Sequence, residues 1–274
     1  MKITNITITG YDDMVRSMYM SNKKYNEEIE QQITNGEFAR KIFTDPNISS
    51  MFKDSSYTKC INQFSEDYEW YHKRIESAIK LACGSLYTKT KEDGSILPEQ
   101  VQQCHSTIGR FLDICCVVDG LHRGATDDFD AHAKRLDSRI IRMSTRTNSP
   151  DKLELSDWYK GKILTMDELD DDDVYFVLPD EIEKSGVVYK RTKYCYVRED
   201  LVKDYDVLRG GTPLGISNLF IFKCNITEWA HIVKLRKPGT HAAPELQEMI
   251  QMINDEIVKI EPLLNDDFWR YCIQ

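Results

Sequence analysis

The C-terminal part of the chain carries the pattern that most restricts the fold, a set of apolar residues at helical spacing. They recur every three or four positions along one side of a helix: Leu246, Met249, Ile250, Ile253, Ile257 and Ile260. A helix with such a face is stable only when that face is buried, so the chain must build a core beside it. A length of 274 residues is enough for one large domain or two small ones. Since no internal repeat or low-complexity linker divides the chain, we expect a single domain over residues 1–274.

The rest of the chain alternates between strand and helix patterns. In chain order these patterns predict a strand over 2–9, a helix from Asp12 and Asp13 toward Gln32, a loop over 35–57, a helix over 64–81, a helix over 98–111, a strand over 112–118, a helix over 125–143, a hairpin strand over 186–197 and a strand over 215–223. Asn225 and Glu228 form a capping box, which predicts a helix that begins there and ends at Arg236.

The charge balance restricts the partners of the chain. The formal net charge is -9 and the pI is about 5.3. A general nucleic-acid coat needs clustered Lys and Arg, so we expect no nucleic-acid partner. The N-terminus lacks the apolar core of a signal peptide, and no run is as long as a membrane span. We therefore expect a cytoplasmic protein without a membrane partner.

Neither cysteines nor acidic residues form a recognisable metal site. The eight cysteines include no CxxC pair, which favours reduced thiols in the core. Cys115 and Cys116 are neighbours on a predicted strand, so only one of them can face each side. One acidic cluster also contains a histidine, but its spacing matches no standard metal-binding loop: Asp127, Asp128, Asp130 and His132. We predict no metal site.

Two basic clusters stand out in this acidic chain. The first contains Arg139, Ser144 and Arg146, and the second contains Arg209, Arg236 and His241. Because a guanidinium can grip a phosphate through two parallel hydrogen bonds, a phosphorylated small molecule is the natural partner. The spacing alone leaves an alternative open: these arginines lie exposed on the surface and bind no ligand.

The stretch from Arg209 to Glu245 resembles the flavin-dependent thymidylate synthases. In that family an arginine precedes a Leu-Pro pair, followed by a strand, an Asn-Ala-Arg helix start, a Leu-Arg pair and a His-Ala-Gln-Trp-Glu-Ile segment. Here the same order reads Arg209, Thr212-Pro213, a strand, Asn225-Ile226-Thr227, Leu235-Arg236 and His241-Ala242-Ala243-Pro244-Glu245-Leu246. The order and spacing carry the resemblance, because each element alone is uninformative.

An upstream signature of the same family is only partly present. It begins with Arg-His-Arg and ends with Ser-x-Arg, and the end is found here as Ser144-Thr145-Arg146. Two registers are open for the beginning, one over Asp137-Ser138-Arg139 and one over Ala131-His132-Ala133. We prefer the first, which gives Arg139 the role of a signature arginine.

The resemblance implies a fold and a set of site residues. The fold is an α/β (α+β) single domain with a mainly antiparallel sheet flanked by helices. The residues that match substrate-binding positions are Ser144, Arg146, Arg209 and Arg236. Those that match or stand near flavin-contacting positions are Arg139, Asn225, His241 and His132. The departures from the family pattern, Thr227, Ala243 and Pro244, fall on the flavin side.

The resemblance also implies a reaction. The family methylates dUMP to dTMP, with methylenetetrahydrofolate as carbon donor, reduced FAD as hydride source and NADPH as co-substrate. Arg209 would be the catalytic residue, because it would polarise the pyrimidine ring. A homotetramer with sites at subunit interfaces is expected. Two alternatives stay open: flavin-dependent modification of another pyrimidine deoxynucleotide, such as hydroxymethylation, and a non-catalytic nucleotide-binding relative that has lost flavin.

Overall fold

The structure is a computed structural model that describes residues 1–44, 58–82, 105–132, 138–144, 152–170 and 178–265. The side chains of residues 58–61, 106, 132, 138–139, 170 and 205 are outside this description. Within it the helices are α1 (Tyr11–Ser21), α2 (Glu27–Thr44), α3 (Thr58–Ala82), α4 (Arg123–His132), α5 (Tyr205–Gly210), α6 (Ile226–Arg236) and α7 (Pro244–Ile260). The strands are β1 (Lys2–Thr9), β2 (Asp113–His122), β3 (Ser138–Arg142), β4 (Glu181–Lys184), β5 (Val187–Arg191), β6 (Tyr196–Arg198) and β7 (Ser217–Asn225).

Four of these strands form the main sheet, in the order β1-β2-β7-β3, and every neighbouring pair is antiparallel. One face of the sheet is buried, since β2 and β7 alternate between inward apolar and outward residues. Cys116 on β2 lies opposite Phe222 on β7, and both are almost fully buried. Helices cover this face, so the predicted α+β fold with a mainly antiparallel sheet is confirmed.

Helix α7 packs on the sheet as its apolar spacing predicts. The residues of that face are buried, apart from the last: Leu246, Met249, Ile250, Ile253 and Ile257. Ile260, at the end of the helix, is 42% exposed. Trp229 of α6 is fully buried and its ring contacts that of Phe222. Each such buried side chain contributes roughly 1.5–3 kcal/mol relative to an exposed one.

The turn from β1 into α1 requires a glycine. Gly10 has a φ of 91°, which L side chains rarely adopt. A Cβ at this position would also lie 2.1 Å from the carbonyl oxygen of Phe111. The close approach of these two backbones brings α1 against the short 3₁₀ helix Ser106–Phe111, which leads into β2.

A smaller antiparallel sheet, in the order β4-β5-β6, belongs to the part of the chain between β3 and β7. It is tied to the segment that precedes β7. Cys195, in the turn before β6, packs so closely on Gly211 that a Cβ there would lie 2.2 Å from its Sγ. Leu155 forms a β-bridge with Ile216, next to the first residue of β7. The part of the chain between β3 and β7 therefore packs against the segment that leads into β7.

Three of the sequence-based predictions of local structure are wrong. The predicted helix from Asp12 and Asp13 to Gln32 is two helices, α1 and α2. Asn22 ends the first by donating from Nδ2 to Met18 O over 3.0 Å, and Asn26 begins the second by accepting from Ile29 N over 2.9 Å. The loop predicted over 35–57 is helical as far as Thr44, and residues 45–57 lie outside the described residues.

The third wrong prediction is the helix over 125–143, which is α4 followed by strand β3. Ile140 and Ile141 are β-branched and pair with Phe222 and Ile221 of β7. A second short helix, predicted over 98–111, is described only from residue 105, where it is 3₁₀ in form. Strand pairing that involves distant residues outweighs local helical spacing here.

None of the helices in the described part of the chain combines the length and the apolar character that a membrane crossing needs. The same described residues hold no group of three or more His, Cys, Asp or Glu side chains placed to bind a metal ion.

Candidate functional site

A cavity of about 220 Å³ opens where β3, β7, α4 and α5 meet. Its walls come from the start of α4, the end of β3, the end of α5 and the start of β7: Arg123, Asp127, Arg142, Met143, Ser144, Arg209, Ile216, Ser217 and Asn218. Small-molecule sites commonly enclose about 300–1,000 Å³. The cavity therefore suits a small ligand or part of a larger one.

Backbone hydrogen bonds join the start of α4 to the segment before β7. Arg123 N donates to Ile216 O over 2.9 Å, and Gly124 N donates to Leu214 O over 3.0 Å. These bonds fix the Arg123 backbone relative to the segment that follows Arg209. Two walls that are distant in sequence are thereby held in one geometry.

The end of β3 is joined to β7 in the same way. Met143 N donates to Leu219 O over 2.8 Å, which continues the β3–β7 pairing by one residue beyond the strand. The antiparallel register then places Ser144 beside Asn218. Both residues line the cavity.

Guanidinium groups dominate the charge of the cavity. The side chains of Arg123, Arg142 and Arg209 are 31%, 32% and 32% exposed, so their charged ends are accessible to a ligand. Asp127 supplies the opposing charge; its carboxylate is 4.0 Å from Arg123 Nε and pairs more closely with Arg142. The lining holds three cations and one carboxylate, which favours an anion in a chain that is acidic as a whole. Such an anion competes with Asp130 and Asp206, which also pair with Arg142 and Arg209.

The backbone N–H groups at the start of α4 do not add to this anion site. Those of Arg123 and Gly124 donate to carbonyl groups before β7, and that of Ala125 donates to His122 Nδ1 over 3.0 Å. A helix N-terminus binds an anion through N–H groups that have no other acceptor. The attraction for an anion must therefore come from the arginine side chains.

A buried polar cluster lies behind the cavity, around His122. Its Nε2 is 3.2 Å from Glu245 Oε2 and 3.5 Å from the hydroxyl of Tyr159. Because Nδ1 accepts a hydrogen bond from the backbone, Nε2 is the nitrogen left to face Glu245 and Tyr159, and its approach to Glu245 Oε2 lacks the alignment of a hydrogen bond. Glu245 is 3% exposed, and its Oε1 lies 2.7 Å from Ser156 Oγ. The cluster thus ties the start of α7 to the end of β2, directly before Arg123.

Comparison with known proteins gives structural matches only. No protein-family model matches the sequence, and neither does any curated protein. The fold is similar to that of Thymidylate Synthase X (ThyX) from Helicobacter pylori with FAD and dUMP, with a TM-score of 0.48 and 10% identity over 100% of both chains. A flavin dependent thymidylate synthase ThyX from the same organism, complexed with FAD and dUMP, gives a TM-score of 0.47 and 11% identity over 100% of both chains. The UMP/dUMP methylase PolB from Streptomyces cacaoi, bound with 5-Br dUMP, gives 0.42 and 9% identity over 95% of this chain and 93% of that one.

Two residues predicted from the thymidylate synthase motifs meet in the cavity. Ser144 comes from the upstream signature and Arg209 from the downstream stretch, and both line its wall. Arg209 lies in the last turn of α5, where Asp206 is 3.5 Å from its Nη2. Arg146, another of the four predicted substrate-binding residues, lies outside the described residues.

Arg236 lies apart from the cavity lining. Its Nη2 donates to Asp128 Oδ1 of α4 over 3.2 Å, and its side chain is 12% exposed. The Nε atom is buried and has no hydrogen-bond partner within the described part of the chain. Its role in nucleotide binding remains a prediction.

Asn225 is engaged in the local structure. Its side chain is almost fully buried, and Oδ1 accepts from Glu228 N over 2.9 Å, which caps α6 as the sequence predicted. Thr227 stands at the position where the family has arginine, and it packs next to Gly109. A Cβ added to Gly109 would lie 2.8 Å from Thr227 Oγ1.

The remaining flavin-side residues are distributed over the surface and the strand edge. His241 is exposed in the turn between α6 and α7. Arg139 belongs to β3, where it pairs with Lys223, and His132 is the last residue of α4; both side chains are outside the description. Their roles toward a flavin remain predictions.

Seven of the nine described lining residues were not predicted as site residues, among them Arg123, Arg142 and Asn218. Arg123 and Arg142 belong to a cationic segment that the sequence shows, but no motif indicates where they point. Asn218 could have been found from strand alternation, which places it on the same face as Phe220. A polar residue on an otherwise apolar face signals either a buried hydrogen bond or a ligand.

Proposed function

We propose that this protein is a divergent flavin-dependent thymidylate synthase that methylates dUMP to dTMP, with methylenetetrahydrofolate as the carbon donor. The observation that supports this most directly is that Ser144 and Arg209 line one cavity. They come from two separate motifs of the family resemblance, and nothing in their sequence spacing requires them to meet. Such a meeting is expected if both motifs serve one ligand.

The charge of the cavity fits a phosphorylated substrate. Arg123, Arg142 and Arg209 offer guanidinium groups in a chain whose net charge is -9. Hydrogen bonds from guanidinium to phosphate are charge-assisted and about twice as strong as neutral ones. A nucleoside monophosphate is attracted to this cavity, whereas the acidic remainder of the surface repels it.

Arg209 is the proposed catalytic residue. Its guanidinium, held near Asp206 at the end of α5, would donate to a carbonyl oxygen of the pyrimidine ring. That contact draws electron density toward the oxygen as the ring carbon attacks the one-carbon unit, so it stabilises developing negative charge. The cavity contains no Ser-His or Cys-His pair among its described lining residues, and this role needs none.

The assignment of a flavin cofactor rests on the sequence resemblance alone. FAD, reduced by NADPH, would supply the hydride that completes the methyl group. Asn225 has its Oδ1 engaged in the cap of α6, and His241 stands in an exposed turn. Within one chain, the described residues therefore do not form a flavin-binding site, and neither Asn225 nor His241 is given a role in hydride transfer.

Association of several copies would complete the site. The outer face of the main sheet exposes apolar side chains, with Ile141 72%, Leu219 45% and Ile221 43% exposed. A contiguous exposed apolar patch of this kind is typical of an interaction surface. We propose a cytoplasmic homotetramer in which a neighbouring chain contributes to the flavin site and folate binds between subunits.

Nucleotide binding to matched variants tests the substrate assignment. Titration calorimetry with dUMP should give about 10-fold to 100-fold weaker binding for Arg209→Ala than for the wild type, because a charge-assisted hydrogen bond is lost. Arg198→Ala is the control, since Arg198 is an exposed arginine on β6 that pairs with Asp200 and does not line the cavity. Equal dUMP affinity in the wild type and Arg209→Ala would reject the proposed site.

A second candidate function is nucleotide binding without catalysis. It is favoured by the two residues at the start of α6 that match flavin-side positions of the family. Asn225 caps the helix, and Thr227 packs next to Gly109, so both side chains take part in local structure. Reconstitution with FAD followed by an absorbance spectrum separates the two candidates, and tritium release from dUMP labelled at C5 measures turnover. Flavin absorbance with tritium release supports the synthase. A colourless protein that binds dUMP and releases no tritium supports the non-catalytic relative.

A further inference from the structure

Asn218 is the most buried polar residue of the cavity lining. It stands at the start of β7 and is 6% exposed. The side chains of Arg123, Arg142 and Arg209 are each about one third exposed. The cavity therefore has a cationic outer part and a side-chain amide at its inner end.

The amide of Asn218 makes no hydrogen bond to any residue that the structure describes, and its atoms open onto the cavity instead of being sealed in the core. Its neighbours on the same face of β7 are Phe220 and Phe222, which are apolar and cannot serve as partners. Buried polar groups almost always have a hydrogen-bond partner, because an unpaired one loses the bonds that it made to water. The partner of this amide, water or the ligand that displaces it, therefore reaches it through the cavity.

We propose that Asn218 binds the edge of the pyrimidine base of the nucleotide. A side-chain amide presents a carbonyl acceptor beside an N–H donor. Uracil presents the complementary pair, because its N3–H donor stands next to a carbonyl oxygen. The Asn218 carbonyl accepts from N3–H while its amide N–H donates to the ring carbonyl, giving two parallel hydrogen bonds. This inference rests on the proposed function and names the residue that selects the base.

The exposure gradient of the cavity sets the orientation of the nucleotide. A phosphate dianion is costly to remove from water, so it stays at the more exposed end, beside Arg123 and Arg142, while Arg209 is left to contact the ring carbonyl. The neutral base can be desolvated when its polar edge is satisfied. Asn218 supplies the donor and the acceptor that satisfy it at the inner end.

The side-chain amide of Asn218 can recognise uracil or cytosine. Rotation of the Asn218 amide exchanges its donor and acceptor, so the same side chain pairs with the amino group and N3 of cytosine. Asn218 therefore selects a pyrimidine with an intact N3 edge. It does not separate dUMP from dCMP.

The test compares ligands that differ only at the base edge. The full-length protein is titrated with dUMP, with N3-methyl-dUMP, which lacks the N3 donor, and with 2-deoxyribose 5-phosphate, which lacks the base. Wild-type protein should bind N3-methyl-dUMP at least about 10-fold more weakly than dUMP. Asn218→Ala should bind dUMP about 10-fold to 100-fold more weakly, with affinity for the other two ligands changed less than about 3-fold.

The outcomes separate this inference from the proposed function. An equal loss for all three ligands in Asn218→Ala would show a structural or phosphate-binding role and overturn the inference. So would wild-type binding of N3-methyl-dUMP as tight as that of dUMP, a result that needs no variant. In both cases dUMP binding itself survives, and the proposed function with it. Failure of the wild type to bind dUMP would reject both.

Discussion

At the scale of single residues, the adjacent cysteines of β2 show how one strand gives two chemically different thiols. Cys116 faces the core and is fully buried, which raises the pKa of its thiol to about 12. Cys115 is half-buried on the opposite face. Since the thiolate is the reactive form, the two should differ in reactivity although they share a backbone.

Alkylation tests this difference with an internal control. With iodoacetamide at pH 8, mass spectrometry of the native protein should find Cys115 modified and Cys116 intact, because a thiol with a pKa of about 12 is almost wholly protonated at that pH. In urea both should react. Modification of Cys116 as fast as Cys115 in the native protein would contradict its placement in the core.

The residues of the cavity show what a sequence can reveal about a site. Arg209 and Ser144 were predicted because motifs in a fixed order single them out, and the structure brings them together. Arg142 was visible as a cation, but its direction depends on β3, which local spacing did not predict. Asn218 carries no charge and matches no motif, so only its placement on the inner face of a strand makes it noticeable.

At the scale of helices and strands, α2 and α3 cross at a glycine. A Cβ on Gly36 would lie 2.4 Å from Tyr71 Cβ, at the root of a fully buried side chain that has no room to move away. The crossing is therefore closer than any other residue at this position allows.

Gly36→Ala should lower the free energy of unfolding by about 1–2 kcal/mol. Helix propensity alone favours alanine by about 1 kcal/mol, but overpacking a core contact costs about 1–3 kcal/mol, and the upper part of that range, about 2–3 kcal/mol, applies because the backbones must separate. Urea denaturation measures the change. Gly210→Ala is the matched control, because no atom lies within 4 Å of its added Cβ. Unchanged or higher stability of Gly36→Ala would contradict the close crossing.

An ion pair joins α1 to α2 across the turn between them. Arg16 donates to Glu30 through Nε over 2.9 Å and through Nη2 over 2.8 Å, and Tyr25 donates to the same carboxylate. The hydrogen bonds from Arg16, followed by that from Tyr25, lower the pKa of Glu30 from 4.5 to about 2. A carboxyl group whose pKa is lowered by folding stabilises the native state above its unfolded pKa, and this contribution is lost as pH falls.

Glu30→Gln should therefore reduce stability at pH 7 and have little effect near pH 2. Both partners are partly exposed, so solvent screening limits the difference to about 1 kcal/mol or less. Urea denaturation of wild type and variant between pH 7 and pH 2 measures it, and the gap should close between about pH 4.5 and pH 2. The same substitution in an Arg16→Ala background is the control, where the gap should be small at every pH. A gap independent of pH would show that the pair does not act through charge.

The elements themselves were predictable to different degrees. Period-2 and helical patterns gave β1, β2, β7, α6 and α7, because their apolar faces meet the core directly. The break between α1 and α2 was missed, since it depends on Lys23 in the left-handed region and on caps by two asparagines. Strand β3 was missed because its stability comes from pairing with β7, a contact between distant parts of the chain.

At the scale of the whole molecule, the main sheet separates two different surfaces. One face is covered by α1, α3, α4, α6 and α7, and the cavity opens at its end. The other face exposes Ile141, Leu219 and Ile221. Antiparallel order and alternation could be predicted from sequence, whereas a self-association surface requires knowing which face the helices leave uncovered.

Strand β7 also has a consequence for how such a chain can change during evolution. Asn218 points toward the cavity, and its neighbour Leu219 points to the outer face. A one-residue slip in the pairing register of β7 would turn Leu219 toward the cavity and Asn218 toward the outer surface. A residue inserted into or deleted from β7 itself has this effect, whereas a change of length in the segment before the strand can be absorbed there while the pairing with β2 and β3 holds the register.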